Sequence, residues 1–66
     1  MATYKRERLV IGGRRYRRDE NVETGTRWYY VIRINGRSMM LDQRHHVIKA
    51  LIDAAIERRE AGGEEA

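Results

Sequence analysis

Residues 26–42 form the part of the chain that most limits its possible folds, because Asn35-Gly36 separates two runs of alternating residues. A two-residue Asn-Gly loop favours a type I′ turn, in which both central residues take φ > 0. This turn predicts a β-hairpin in which Ile34 pairs with Arg37, Ile32 with Met39 and Tyr30 with Leu41. The sequence therefore predicts both the hairpin and its register.

The predicted register divides the hairpin into two faces, because successive side chains of a strand point to opposite sides. One face is apolar and contains Trp28, Tyr30, Ile32, Ile34, Met39 and Leu41. The opposite face contains Arg27, Tyr29, Val31, Arg33, Ser38, Met40 and Asp42. We expect the apolar face to pack in the core and the arginine-bearing face to be exposed.

A first hairpin is predicted around Gly12-Gly13, since a Gly-Gly pair also permits a tight turn. It would place Ile11 opposite Arg14 and Leu9 opposite Tyr16. Asn21 and Thr24-Gly25 then indicate a polar connection to the next strand.

The segment from Asp42 to about residue 61 has helical periodicity, with Asp42 as N-cap and Gly62 as a C-terminal stop. The predicted core combines the hairpin's apolar face with one helix stripe: Trp28, Tyr30, Ile32, Met39, Leu41, Val47, Ile48, Leu51 and Ala55. Ile52 and Ile56 lie beside this stripe. They are either the edge of a broad core or an exposed strip for a partner or a homodimer.

These elements predict an α+β fold in which a three- or four-stranded antiparallel meander packs against one C-terminal helix. The predicted strands span about 4–11, 14–20, 27–34 and 37–41, and the helix about 43–61. We expect one small domain over residues 1–66, with a frayed acidic tail at 62–66.

The net charge of +4 is unevenly distributed, since residues 1–18 contain seven basic residues and one acidic residue. Arginine suits phosphate groups and base edges, although heavy arginine usage also follows from a GC-rich genome. The exposed arginine face of the sheet predicts a nucleic-acid interface formed by Arg15, Arg17, Arg27, Tyr29 and Arg33. A merely solvated sheet face is the alternative reading.

Motifs for catalysis, metal binding and membrane insertion do not appear. Ser38 is the only serine and has no paired base, and His45-His46 point about 100° apart on a helix, which does not suit one metal ion. Cysteine is absent, no apolar run is long enough to span a bilayer, and no signal peptide is evident. We expect a non-enzymatic, cytoplasmic protein without cofactor, metal or small-molecule substrate.

The run from Thr26 to Arg37, followed by a short strand and an alanine-containing helix, resembles the arm-type DNA-binding domain at the N-terminus of phage and transposon tyrosine integrases. That family is similar to the plant ethylene-response DNA-binding domain. The resemblance implies a sheet that enters the major groove of double-stranded DNA, and an origin in a phage or mobile element, with the host cytoplasm or nucleoid as location.

Two other functions stay open from the sequence. The chain could be a small phage effector that binds a host protein through a sheet edge or the Ile52/Ile56 strip. RNA binding is a third possibility, in which Tyr29 would stack on an unpaired base.

Overall fold

The computed structural model describes residues 2–62, which form one antiparallel sheet and a helical layer. The strands are β1 (Tyr4–Ile11), β2 (Arg14–Asn21), β3 (Arg27–Ile32) and β4 (Ser38–Met40), paired in the order β1-β2-β3-β4. A short 3-10 helix, Gln43–His45, leads into the helix α1 (His46–Glu60). The predicted α+β fold is confirmed, with four strands in a meander and one C-terminal α-helix.

The first hairpin has the predicted register. Gly12 and Gly13 take φ values of 60° and 80°, as a type I′ turn requires, and no larger residue adopts such angles without strain. Leu9 pairs with Tyr16 and Ile11 with Arg14. The two glycines therefore fix which side chains of β1 and β2 share a face.

The predicted register of the second hairpin is wrong by one residue. Ile32 pairs with Ser38 rather than Met39, and Tyr30 pairs with Met40 rather than Leu41. The loop has three residues instead of two, because Gly36 donates its N–H to the Arg33 carbonyl at 2.8 Å and alone takes a positive φ, of 88°. This geometry is a β-turn followed by a left-handed glycine, a common hairpin loop that Asn-Gly also permits.

The face assignment of β3 is also reversed. Tyr29 and Val31 face the helix, whereas Trp28, Tyr30 and Ile32 lie on the other side of the sheet. The register with β2 decides this, because Val31 pairs with the buried Tyr16. The core consists of the buried residues Leu9, Tyr16, Leu41, Ile52 and Ile56, with Ile11, Tyr29, Val31, Ile48 and Ala55 packed against them.

The buried stripe of the helix is shifted from the predicted one, since Ile48 and Ala55 pack against the core as predicted but Ile52 and Ile56 form its centre. Ile52 and Ile56 are fully buried, so they form no exposed strip for a partner or a homodimer. Val47 and Leu51, which the sequence placed in the core, are instead exposed. In this orientation, polar residues of the same helix contact partners on the sheet, among them Lys49, Asp53 and Glu60.

Those polar contacts show that α1 crosses the strands from β3 toward β1. Near its start the Lys49 ammonium lies 5.5 Å from the centre of the Tyr29 ring. At its end Glu60 accepts a hydrogen bond from Lys5 on β1 at 2.8 Å. No helix within residues 2–62 has the length and apolar character needed to cross a membrane.

Asp42 caps the start of the helical segment, as predicted, by accepting the Arg44 N–H at 3.0 Å. At the other end Gly62 takes a φ of 75° and donates its N–H to the Arg59 carbonyl. Most of the predicted frayed tail, residues 63–66, lies outside the described residues.

The Asp42 cap predicts that the stability of the fold decreases in acid. The Arg44 side chain and backbone N–H lower the pKa of Asp42 from 3.8 to about 2. A lowered carboxyl pKa stabilises the fold above pH 3.8, and this contribution is lost as the pH falls toward 2. Asp42→Asn keeps the capping oxygen but removes the charge. We expect it to be less stable than the wild type at pH 6, with the difference in unfolding free energy disappearing near pH 2; a constant difference would contradict this linkage.

Candidate functional site

The face of the sheet that α1 leaves uncovered is the main candidate for a functional surface, and we call it the open face. Its side chains alternate along each strand with those that face the helix. The strand pairing places thirteen residues on it: Tyr4, Arg6, Arg8, Val10, Arg15, Arg17, Asp19, Asn21, Trp28, Tyr30, Ile32, Ser38 and Met40. Four of these residues are arginines and one is acidic, so the open face is basic.

The arginines are concentrated on β1 and β2. Arg8 and Arg17 are directly opposite each other, and the same row continues across the sheet through Tyr30 to Met40. Arg15 lies in the next row, beside Ile32. The two neighbouring strands thus form a basic ribbon, with the aromatic residues of β3 along one side.

Arg17 is a fixed part of this surface. Its guanidinium carbon lies 4.1 Å from the centre of the Tyr30 ring, and one of its Nη atoms donates to Ser38 Oγ at 3.1 Å. Its Nε is 3.4 Å from Asp19 Oδ1, and 15% of the side chain is exposed. The guanidinium covers the aromatic ring, which explains how Tyr30 stays half-buried without a helix above it.

Arg8 and Arg15 are the exposed arginines that remain available to a ligand. Within residues 2–62, no carboxylate forms an ion pair with either guanidinium. Arg15 donates to the Arg33 carbonyl at 3.2 Å, which holds it near the hairpin tips. Both line a shallow depression of about 440 Å³ on the sheet. By contrast, Arg6 is paired with Asp19 at 3.0 Å.

An aromatic pair extends the open face beyond the arginines. The ring centres of Tyr4 and Trp28 are 6.3 Å apart, with a tilt of 51° between the planes. Tyr4 is 61% exposed, so one side of this pair is accessible to solvent. The open face therefore offers guanidinium groups and aromatic rings side by side.

The structure divides the five residues that the sequence predicted for a nucleic-acid interface. Arg15 and Arg17 lie on the open face as expected. Arg27 and Tyr29 lie on the opposite, helix-covered face, because the faces of β3 are reversed. Arg33 belongs to the exposed loop after β3, with one Nη atom 3.9 Å from Met39 Sδ. Thus Arg27 and Tyr29 do not belong to the open face.

Arg27 and Tyr29 instead belong to a polar cluster around the Asp53 carboxylate of α1. Arg18 Nη1 lies 2.8 Å from Asp53 Oδ1, and the Tyr29 hydroxyl donates to the same carboxylate at 2.8 Å. Arg27 is 3.5 Å from it. Burial, followed by the hydrogen bond to Asp53, raises the pKa of Tyr29, so its hydroxyl stays protonated as a donor. The cluster joins the helix to the sheet beneath it.

The remaining titratable residues offer no metal site in the described part of the chain, residues 2–62, where no three His, Cys, Asp or Glu side chains group suitably. His45 Nδ1 lies 3.0 Å from Asp42 Oδ1 and belongs to the cap.

Sequence reasoning missed four residues of the open face, namely Tyr4, Arg6, Arg8 and Trp28. The alternation of side chains along β1 could have identified Arg6 and Arg8, because residues of even number point away from the face that contains the buried Leu9.

No family model, curated protein or solved structure matches the chain.

Proposed function

We propose that the protein is a small non-enzymatic domain that binds double-stranded DNA through its open face. The observation that carries this proposal is the basic ribbon of β1 and β2, where four arginines share an uncovered surface with one carboxylate. A solvated face would be served equally well by acidic residues. The strong preference for arginine favours a polyanionic partner.

The electrostatics of the ribbon fit a phosphate backbone. Arg8 and Arg15 reach solvent and are not neutralised by a carboxylate within residues 2–62, so their positive charge is directed outward. Binding by such groups releases counterions from DNA and weakens steeply as salt rises. The open face is therefore expected to give affinity that depends strongly on ionic strength.

The spacing of the arginines also fits a duplex. Side chains on one face of a strand repeat every two residues, or about 6.7 Å. This matches two base-pair steps of about 3.4 Å each. A two-stranded ribbon fits the major groove, which is about 12 Å wide, where arginine contacts guanine through two parallel hydrogen bonds. The two available arginines, Arg8 and Arg15, lie in adjacent rows of the ribbon and would thus meet the groove about two base-pair steps apart along the strands.

Arg8→Ala is the most direct test. We expect it to weaken binding to mixed-sequence duplex DNA roughly tenfold at low salt, and to reduce the slope of log K against log salt concentration by about one. Electrophoretic mobility or fluorescence anisotropy across a salt series measures both quantities. Arg58→Ala is the matched control, because it removes the same charge from an exposed position on the helix.

Three outcomes would contradict the proposal. The first is that the wild type shows no salt-sensitive binding to any duplex. The second is that Arg8→Ala and Arg58→Ala lose affinity equally. The third is that single-stranded RNA displaces bound duplex DNA at a lower concentration than unlabelled duplex DNA does. The last result would assign the arginines and the Tyr4–Trp28 pair to unpaired bases.

A protein partner with an acidic surface is the second candidate, because Trp28, Tyr30, Met40 and arginine belong to the residue types enriched at protein interfaces. The Ile52/Ile56 strip is not available for this role. The edge strand β1 is partly protected, since Arg59 donates to the Arg8 carbonyl at 3.1 Å. A stoichiometric partner that survives nuclease treatment, and is lost in Trp28→Ala, would favour this function over DNA binding.

A further inference from the structure

The tip of the second hairpin presents a large apolar side chain that folding does not explain. Ile34 has a relative exposure of 101% and so gains nothing from burial. It occupies the first central position of the Arg33–Gly36 turn, where a β-branched residue is not needed to form the turn. Other exposed apolar residues, such as Leu51 at 48%, are still partly covered by their neighbours.

The loop that carries Ile34 is held by backbone groups and the Asn35 side chain. Gly36 N–H donates to the Arg33 carbonyl at 2.8 Å, and Arg33 N–H donates to the Arg37 carbonyl at 2.8 Å. The Asn35 side-chain oxygen accepts the Arg37 N–H at 3.0 Å. Because none of these bonds uses the Ile34 side chain, the tip presents that side chain on a preorganised support.

The surroundings of the tip are basic. Arg33 and Arg37 flank the loop, and a depression of about 560 Å³ beside Ile34 is lined by Arg14, Arg15 and Arg33 without a carboxylate. Arg15 also belongs to the open face, so the tip continues the same basic surface. This arrangement suits DNA, because the cations can contact the phosphates of the two backbones while the apolar side chain lies against the bases between them.

We propose that Ile34 is a wedge that inserts between adjacent base pairs and kinks the duplex bound by the open face. This inference rests on the proposed DNA binding and adds a deformation step to it. Apolar wedges of proteins that bind the minor groove partly unstack base steps and kink the duplex by about 20–90°. A wedge at the hairpin tip, beside the groove that the open face occupies, would be supported by cations on the phosphates that flank the opened step. Arg33 and Arg37 are placed to supply that support.

Energy transfer between dyes at the two ends of a duplex of roughly 30 base pairs tests the wedge, since a bend brings the ends together. We expect wild-type protein to raise the transfer efficiency at saturation. Ile34→Ser should abolish the rise while changing affinity by less than about tenfold, and Ile34→Met, which restores an apolar wedge, should recover it. Val22→Ser is the matched control, because it changes an exposed β-branched loop residue at the other end of the sheet.

The outcomes separate the wedge from DNA binding itself. Salt-sensitive binding with no bend, or an equal bend with Ile34→Ser, overturns the wedge and leaves the open-face proposal standing. An equal loss of bending in Val22→Ser also overturns it, because the effect would not be local to the tip. Absence of any duplex binding by the wild type overturns both proposals.

Discussion

Ile52→Ala is expected to lower the free energy of unfolding by about 3 kcal/mol, whereas Leu51→Ala on the same helix is expected to cost less than about 1 kcal/mol. Both substitutions remove three carbon atoms and leave alanine in the same helix. They differ in surroundings, because Ile52 is fully buried and Leu51 is 48% exposed. The first opens a cavity between α1 and the sheet, and the second mainly removes atoms that already meet water.

Chemical denaturation followed by circular dichroism measures both changes. A chain of this size has a total stability of only about 3–10 kcal/mol, so Ile52→Ala is expected to move the unfolding midpoint substantially. Ile52→Val is the graded variant and should cost about 1 kcal/mol. Equal losses for Ile52→Ala and Leu51→Ala would contradict the helix orientation described above.

The first hairpin was predictable because the information that fixes it is local. Gly12-Gly13 permits a tight turn, and the same register that closes this turn also brings Leu9 and Tyr16 together. Turn geometry and apolar pairing therefore agree. Agreement between these two levels is what makes a sequence specify one structure.

The second hairpin was not predictable to the residue, because Asn35-Gly36 is compatible with loops of two or three residues. A slip of one residue changes every cross-strand pair and moves each partner to the opposite face. Pairing with β2 resolves the ambiguity for β3, since Val31 lies opposite the buried Tyr16. The two residues are fifteen positions apart in the sequence, so no local pattern predicts that they pair.

The helix posed a similar choice between two adjacent apolar stripes. Val47 and Leu51 continue one stripe, while Ile52 and Ile56 continue the other. Their hydrophobicity does not separate them. In the observed orientation Ile52 and Ile56 are buried, and Asp53 lies 2.8 Å from Arg18 on β2. These contacts are with strands distant in the sequence, so the periodicity of the helix does not predict them.

The strand registers also determine which residues of the candidate site could be predicted from the sequence. Arg15 and Arg17 were assigned to the correct face of the sheet, because their alternation is counted from the well-defined first hairpin. Trp28 and Tyr30 were assigned to the core because the predicted two-residue turn placed them on the apolar face with Met39 and Leu41. No local sequence pattern indicates that Arg17 covers Tyr30 and that both lie on the open face.

Asp53→Ala is expected to lower the unfolding free energy by about 3 kcal/mol. Arg18 is 3% exposed, and Asp53 is its closest carboxylate at 2.8 Å, so the substitution leaves a buried guanidinium without its main counter-ion. The Tyr29 hydroxyl also loses its acceptor. Asp53 is 27% exposed and Glu20 remains 3.5 Å from Arg18, which keeps the expected cost at the lower end for a buried pair.

Glu57→Ala is the control, since it removes an exposed carboxylate from the same helix and should change stability by less than about 0.5 kcal/mol. Adding Arg18→Met to Asp53→Ala provides the sharper test. If the cost comes from an unpaired buried charge, the double variant should be more stable than Asp53→Ala alone, because methionine fills similar space without a charge. Equal losses in Asp53→Ala and Glu57→Ala would instead show that Arg18 is adequately solvated without Asp53, and that apolar packing alone positions the helix.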